Sequence, residues 1–235
     1  MSAHTVLEFA SHTDTGLVRS HNEDAIVICS DIGLAILADG MGGYNAGEVA
    51  SQMSVDLVRE QIQQKQAGSW MPRLPWQTSI PAKWINDAIV YANQKVIEQA
   101  NKNPDNFGMG TTIVTALCHQ DKLVIGHVGD SRAYLFRDQY LEQITRDHSV
   151  LQAQIDAGLI SQADAHLSPI KNLITRAVGS NDEIEVEVHD HQMRVGDIFV
   201  LCSDGLSDML DQIHLQTVLR EQSNDLDTCC KTLVY

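Results

Sequence analysis

Leu34-Ala35-Ile36-Leu37-Ala38-Asp39-Gly40-Met41-Gly42-Gly43 is the stretch whose reading decides the fold. Its first five residues are apolar and read as a buried strand. The strand ends on an acid, followed by a run of glycines. A carboxylate at the end of a buried strand is costly unless something cationic receives it. The glycines let the backbone come close to whatever that is. Working outward, Ala25 to Cys29 is a short apolar strand, and Ser30-Asp31-Ile32-Gly33 is a turn into the central strand. The resulting hairpin brings Glu23 and Asp24 toward Asp39. Two other stretches share this chemistry, Gly129-Asp130-Ser131-Arg132 and Leu201-Cys202-Ser203-Asp204-Gly205. Each places an acid at the end of an apolar run. Three such acids suggest one shared site for hard metal ions, since carboxylate and water oxygens suit magnesium or manganese.

Composition bounds the reading. The 235 residues allow one large domain or two small ones with a real core. A net charge of -15 gives a field that repels nucleic acid and anionic membrane. Cys29, Cys118, Cys202, Cys229 and Cys230 are scattered, with no C-x-x-C spacing to suggest zinc or redox chemistry. A reducing cytosol is expected. Met1 to Asp14 has no secretory signal pattern, and no apolar run reaches membrane-spanning length.

Along the chain, Val6 to His12 reads as a first strand. Ala46, Val49, Ala50, Met53 and Leu57 recur at helical spacing, predicting a helix to about Gln64. Gln66 to Pro81 is a proline-marked loop. Ile85, Ala88, Ile89, Ala92 and Val96 predict a second helix. Thr111 to Cys118, Leu123 to Val128 and Ala133 to Phe136 read as an antiparallel meander. Arg146 to Ser180 is a polar insertion with short helical pieces at Val150 to Ala157 and Ser161 to Ala165. Glu183 to Val188 alternates as a half-exposed strand, and Ile198 to Cys202 is a buried one. Helices at about Asp211 to Arg220 and Asp225 to Val234 close the chain. The order predicts an α+β fold with mainly antiparallel sheets. His127 is expected in the sheet, His189 and His191 on the surface, and Asp208 and Asp211 near a helix start. His148 carries no assigned role.

Seven blocks, taken in order, resemble the metal-dependent protein phosphatases of type 2C (PPM), in a bacterial form. They are Gly16-Leu17-Val18-Arg19 with Asn22-Glu23-Asp24, Ala38-Asp39-Gly40-Met41-Gly42-Gly43, Met109-Gly110-Thr111-Thr112, His127-Val128-Gly129-Asp130-Ser131-Arg132, Asp147-His148-Ser149, Thr175-Arg176-Ala177-Val178-Gly179, and Cys202-Ser203-Asp204-Gly205-Leu206. The resemblance implies a single phosphatase domain over 1-235. Its fold is an α/β/β/α sandwich of two antiparallel sheets flanked by helix pairs, with 146-180 as a flap that selects substrate. It also implies two Mn2+ or Mg2+ ions, with a third in some bacterial members, hydrolysing phosphoserine and phosphothreonine with a metal-activated water.

Role by role, the resemblance makes Asp39 a bridge between both metals and Gly40 a carbonyl ligand. Asp204 becomes a metal ligand, or a helix N-cap, or both. Glu23 and Asp24 match acids that hold metals or their waters. Asp130 matches the acid that shares a third ion with Asp204. Arg19 matches the phosphate-binding arginine, whose fork suits two phosphate oxygens. Phosphorylated proteins, either Ser/Thr kinases or their substrates, are the implied partners of a cytoplasmic monomer.

Two departures from the family pattern matter. Met41 stands where eukaryotic members place a general-acid histidine, and a thioether donates no proton. No Asp-Asn pair and final strand follow Asp204, so one metal is expected to bind less well and activity to be lower. That leaves two alternatives to a competent protein phosphatase: a weakly active or inactive phosphoprotein-binding module, and a phosphatase for small phosphoesters.

Overall fold

The computed structural model describes residues 6–42, 46–68, 80–161, 164–165, 168–170 and 173–235. The central hairpin forms as its turn predicts: β1 (Asp24–Cys29) pairs antiparallel with β2 (Leu34–Met41), and Asp24 lies opposite Asp39. β3 (Gly110–Thr111) adds to the end of β2 at Gly40 and Met41. β4 (Ile113–His119), β5 (Lys122–Val128) and β8 (Glu187–Gln192) complete this sheet in the order β1-β2-β4-β5-β8. A second sheet has the order β7-β6-β9, from β6 (Arg132–Arg137), β7 (Tyr140–Gln143) and β9 (Ile198–Cys202).

The period-two alternation of the strands sorts side chains into three apolar layers. Leu34, Ile36 and Ala38 of β2, with Ile113 and Leu117 of β4, face α1 (Ala46–Gly68) and α2 (Ile80–Lys102). Leu37, Val114, Ala116, Leu123 and Ile125 point the other way and meet Ala133, Phe199 and Leu201 of the second sheet. Tyr134, Phe136 and Cys202 on the far side of that sheet pack under α5 (Gln212–Gln222) and α6 (Leu226–Val234), through Leu215, Leu219, Cys229 and Leu233. The result is helix, sheet, sheet, helix, the predicted α+β sandwich.

α2 buries the expected stripe of Ile85, Ala88, Ile89, Ala92 and Val96. Each buried isoleucine there stabilises the fold by about 2 kcal/mol. α2 comes down on bare backbone, because a Cβ on Gly126 of β5 would lie 2.3 Å from Ile85 Cγ2. Two short helices, α3 (Val150–Asp156) and α4 (Asp204–Ser207), lie near the sheet ends. All five cysteines are free. Among the described residues no helix is long and apolar enough to cross a membrane.

Several local expectations are corrected. Val6 to His12 forms no strand; the described residues there enter no ladder. The strand expected at Glu183 to Val188 begins only at Glu187 and runs to Gln192. Ile184 and Val186 pack on the helix-facing core before that ladder starts, which is why they read as alternating. His189 and His191, expected on the surface, are half-buried in β8 beside Ile125 and Leu123 of β5. Of the helical piece expected at Ser161 to Ala165, residues 162–163 lie outside the described residues, as does most of the Gln66 to Pro81 loop, where α1 continues to Gly68.

Candidate metal centre

Four acids converge because four strands end together. Asp24 starts β1 and Asp39 lies near the end of β2, on the same side of the hairpin as Ile26 and Leu37. Asp130 sits in the crossover from β5 of one sheet to β6 of the other. Cys202 at the end of β9 pairs with Arg132 at the start of β6, so Asp204 emerges at the same edge as Asp130.

Electrostatics shows what this placement costs. Burial, then the charges of Asp24 and Asp204, a hydrogen bond with Asp204 and the charge of Asp130 push the Asp39 carboxyl up to about 9. Burial, then Asp204 and Asp147, push Asp130 up to about 6. Asp24 is also raised, chiefly by burial, although the Ser203 hydroxyl donates to its Oδ2 at 2.8 Å. Like charges packed in a poorly solvated place hold protons unless a cation replaces them. An all-oxygen, multiply acidic donor set fits hard divalent ions and not zinc or copper.

The frame around Asp39 is hydrogen-bonded backbone. Thr112 N–H and the Thr111 hydroxyl both donate to Asp39 O, at 2.9 and 2.8 Å, and Asp39 N–H donates to Thr112 Oγ1 at 3.1 Å. Thr112 and Ser131 share a buried hydroxyl pair at 2.7 Å, tying β2 to the Asp130 crossover. Sequence reasoning assigned no role to these threonines or to Ser131 and Ser203. The available signal was hydroxyls inside and beside otherwise apolar strands.

Gly40 and Gly47 meet without side chains: a Cβ on Gly40 would lie 2.1 Å from Gly47 O. Gly40 N–H donates to Glu23 O at 3.0 Å, and the Ser51 hydroxyl of α1 reaches the same carbonyl at 2.6 Å. A Cβ on Gly47 would fall 2.6 Å from Glu23 Oε1, so the Glu23 side chain lies over the first turn of α1. Arg19 is exposed and pairs with Glu23 through Nη1 and Oε2. Met41 packs toward Gly110. Ser203, not Asp204, is the N-cap residue of α4, and Asp204 is its first helical residue.

Two neighbouring acids are engaged elsewhere. Asp147 receives Arg132 Nη2 at 2.6 Å and Nε at 3.0 Å, with Gln143 Nε2 at 2.9 Å. Glu187 accepts from His148 Nε2 at 3.1 Å and His189 Nε2 at 2.6 Å. Among the described residues the one group of three potential ligand atoms lying within 4.8 Å of one another is His127, His148 and Glu187, not the aspartates. Burial pushes both imidazoles below their usual range, which keeps them neutral.

Comparison with known proteins agrees with this architecture. The family described as protein phosphatase 2C matches residues 10–230. A serine/threonine phosphatase, stp, of Listeria monocytogenes is 35% identical over 214 residues, covering 89% of this chain and 82% of the relative. The serine/threonine protein phosphatase PstP of Mycobacterium tuberculosis is 40% identical over 204 residues, covering 86% of this chain and 37% of the relative. A crystal structure of the latter superposes with a TM-score of 0.84 at 35% identity, over 96% of this chain and 89% of that one. Another, of the PstP catalytic domain in complex with two manganese ions, gives 0.81 at 34% identity, over 96% and 88%.

Proposed function

This chain belongs to the protein phosphatase 2C family and is a metal-dependent protein serine/threonine phosphatase; we propose that its reaction centres on Asp39, with Asp24, Glu23, Asp130, Asp204 and the Gly40 carbonyl completing the cation-binding set. The convergence of Asp24, Asp130 and Asp204 on a buried Asp39 carries this reading, because burial and mutual repulsion outweigh what Arg19, Arg132 and Ser203 offset among the described residues. The relatives' phosphatase names leave the non-catalytic binding module without support.

The ions, when bound, withdraw charge from the phosphoryl group and make a water acidic enough to attack it. The chain's own residues do the rest. Asp39 would hold the cation in place of a proton and so has to be held rigidly; the Thr111 and Thr112 bonds to its carbonyl do that. Arg19 presents its fork to two phosphate oxygens, and exposure lets it swing from Glu23 to substrate. Met41 supplies no proton to the leaving oxygen. Of the two candidate ions, Mn2+ is the one we assign, and Asp130 and Asp204 would hold a third. The segment 146–180 acts as a flap beside this centre in a single domain spanning 1–235. Phosphorylated proteins are the substrates, with Ser/Thr kinases and their targets as partners of a cytoplasmic monomer.

The test is hydrolysis of a phosphothreonine peptide and of para-nitrophenyl phosphate with and without Mn2+. Mn2+-dependent turnover of the peptide, absent in Asp39→Ala, is expected. Turnover that survives in Asp39→Ala overturns the assignment of Asp39. Turnover confined to the small ester overturns the substrate class.

A further inference from the structure

His148 bonds to Gly129 twice. Its backbone N–H donates to Gly129 O at 2.9 Å, and its ring Nδ1 accepts the Gly129 N–H at 3.2 Å. An Nδ1 that accepts an N–H carries no proton, so the neutral ring carries its proton on Nε2. That N–H faces Glu187 Oε2 at 3.1 Å, while Arg176 Nη1, at 3.5 Å, is itself a donor and cannot accept it. The ring lies flat on His127, with centroids 4.7 Å apart and 17° between planes. His127 in turn directs Nε2 at Arg146 O, 2.9 Å away. This arrangement speaks against a metal in the His127, His148 and Glu187 group. The His148 Nε2 position is filled by a proton, and stacked rings aim their in-plane lone pairs along parallel planes, so they do not converge.

Gly129 needs such a clamp. Its φ is +104°, a conformation in which glycine is mobile and other residues are strained. It has no side chain to anchor it, and a Cβ there would lie 2.7 Å from Thr112. The next residue is Asp130. Beyond it Ser131 bonds to Thr112, and Arg132 holds Asp147, the residue before His148. Segment 129–132 is thus pinned to 147–148 at both ends, with Asp130 between. His148 O also accepts Thr175 N–H at 2.7 Å, and Val150 N–H donates to Leu173 O at 2.8 Å.

We propose that His148 is a positioning residue for Asp130: by holding Gly129 through its ring and its backbone, it aims the Asp130 carboxylate at the cation site and couples that aim to segment 173–175. The proposal rests on the reading of Asp130 as a cation ligand. His148 touches neither cation nor substrate.

Two substitutions separate the two ends of the ring. His148→Asn keeps an acceptor near the place of Nδ1 and loses the reach to Glu187. His148→Gln keeps a donor toward Glu187 and loses the Gly129 acceptor. Both retain the backbone bond. Hydrogen exchange of the Gly129 amide is measured by NMR in the metal-free protein, Mn2+ binding by calorimetry, and kcat and KM on a phosphothreonine peptide. His148→Gln is expected to speed Gly129 exchange about tenfold or more and to weaken Mn2+ binding about tenfold, the usual scale for a support behind a ligand. It should lower kcat with KM little changed. His148→Asn is expected to stay within about threefold of the wild type in exchange and Mn2+ affinity, a small fraction of that scale. Asp130→Asn should lose the same Mn2+ binding step that His148→Gln weakens. Wild-type exchange and Mn2+ affinity in His148→Gln overturns the positioning role. So does an equal loss in both His148 variants that tracks their melting temperatures. Unchanged Mn2+ binding in Asp130→Asn overturns the premise instead, and is distinguishable because Gly129 exchange in His148→Gln would still rise.

Discussion

Two clusters of acids sit at the same end of the sandwich and are treated in opposite ways. Asp147 is met by the Arg132 fork at 2.6 Å and by Gln143, and Glu187 by two histidines. Asp39, Asp24 and Asp130 are met mainly by one another and are raised as a result. The first cluster is given its donors by the chain that built it, a guanidinium and an amide at Asp147 and two imidazoles at Glu187. The second has few donors and holds its carboxyls in the protonated range, which suits the cation role proposed for it. A buried acid with its own donors is at ease in the fold, whereas buried acids that face one another destabilise it until protonated or met by a cation.

That contrast breaks most sharply at Asp39. Asp39→Ala is expected to lower Mn2+-dependent kcat about 1,000-fold or more, since attack on a phosphate dianion depends on the charge held there, while the fold persists by circular dichroism. At the other cluster the sign reverses. Asp147→Ala leaves Arg132 half-buried and unpaired and should cost about 3 kcal/mol of stability, read by urea unfolding, with a smaller effect on chemistry than Asp39→Ala. If Asp147→Ala instead abolished turnover in a fully folded protein, the division between the clusters would fail.

A subtler separation comes from pH. The folded Asp39 carboxyl titrates at about 9, far above its unfolded value. Between roughly pH 4 and pH 9 the unfolded chain has released a proton that the metal-free fold still holds. The unfolded state then binds fewer protons, so stability falls as pH rises through that window. With chelator, the melting temperature should drop by about 5 °C between mildly acidic and mildly alkaline buffer. Saturating Mn2+ or Asp39→Asn should flatten the slope. A slope unchanged in Asp39→Asn would place the linkage elsewhere. The smallest effect is expected at Arg19, which is exposed and tied to Glu23. Arg19→Lys keeps the charge and loses the fork, raising KM for phosphopeptide about tenfold with kcat less affected.

How much of this was legible in the sequence depends on distance along the chain. The β1–β2 hairpin was readable because its apolar runs and the turn at Ser30 to Gly33 are contiguous, and it sets Asp24 opposite Asp39. The two-sheet layering came from the family resemblance, and the meander expected to run on through Ala133 to Phe136 breaks there, because β6 joins the second sheet. The place of Glu187 beside His127 in the β5–β8 ladder was not readable, because it depends on pairing across some sixty residues. His148 was opaque for the same reason: its three partners, Gly129, Glu187 and Thr175, lie far off in sequence. Val6 to His12 looked like a strand because local β-propensity was present, but a strand requires a neighbour to bond with.

The contact of Gly40 with Gly47 has a consequence for inheritance. Here one backbone rests on another, and a methyl group on either residue would collide with the other's main chain. Neighbouring side chains in a core drift together, one shrinking as the other grows. These two positions have nothing to trade, since neither can become smaller than it is. Among viable variants of this chain, both sites should stay fixed while the residues around them wander, leaving the strand that carries Asp39 and the helix beneath it at one unvarying distance.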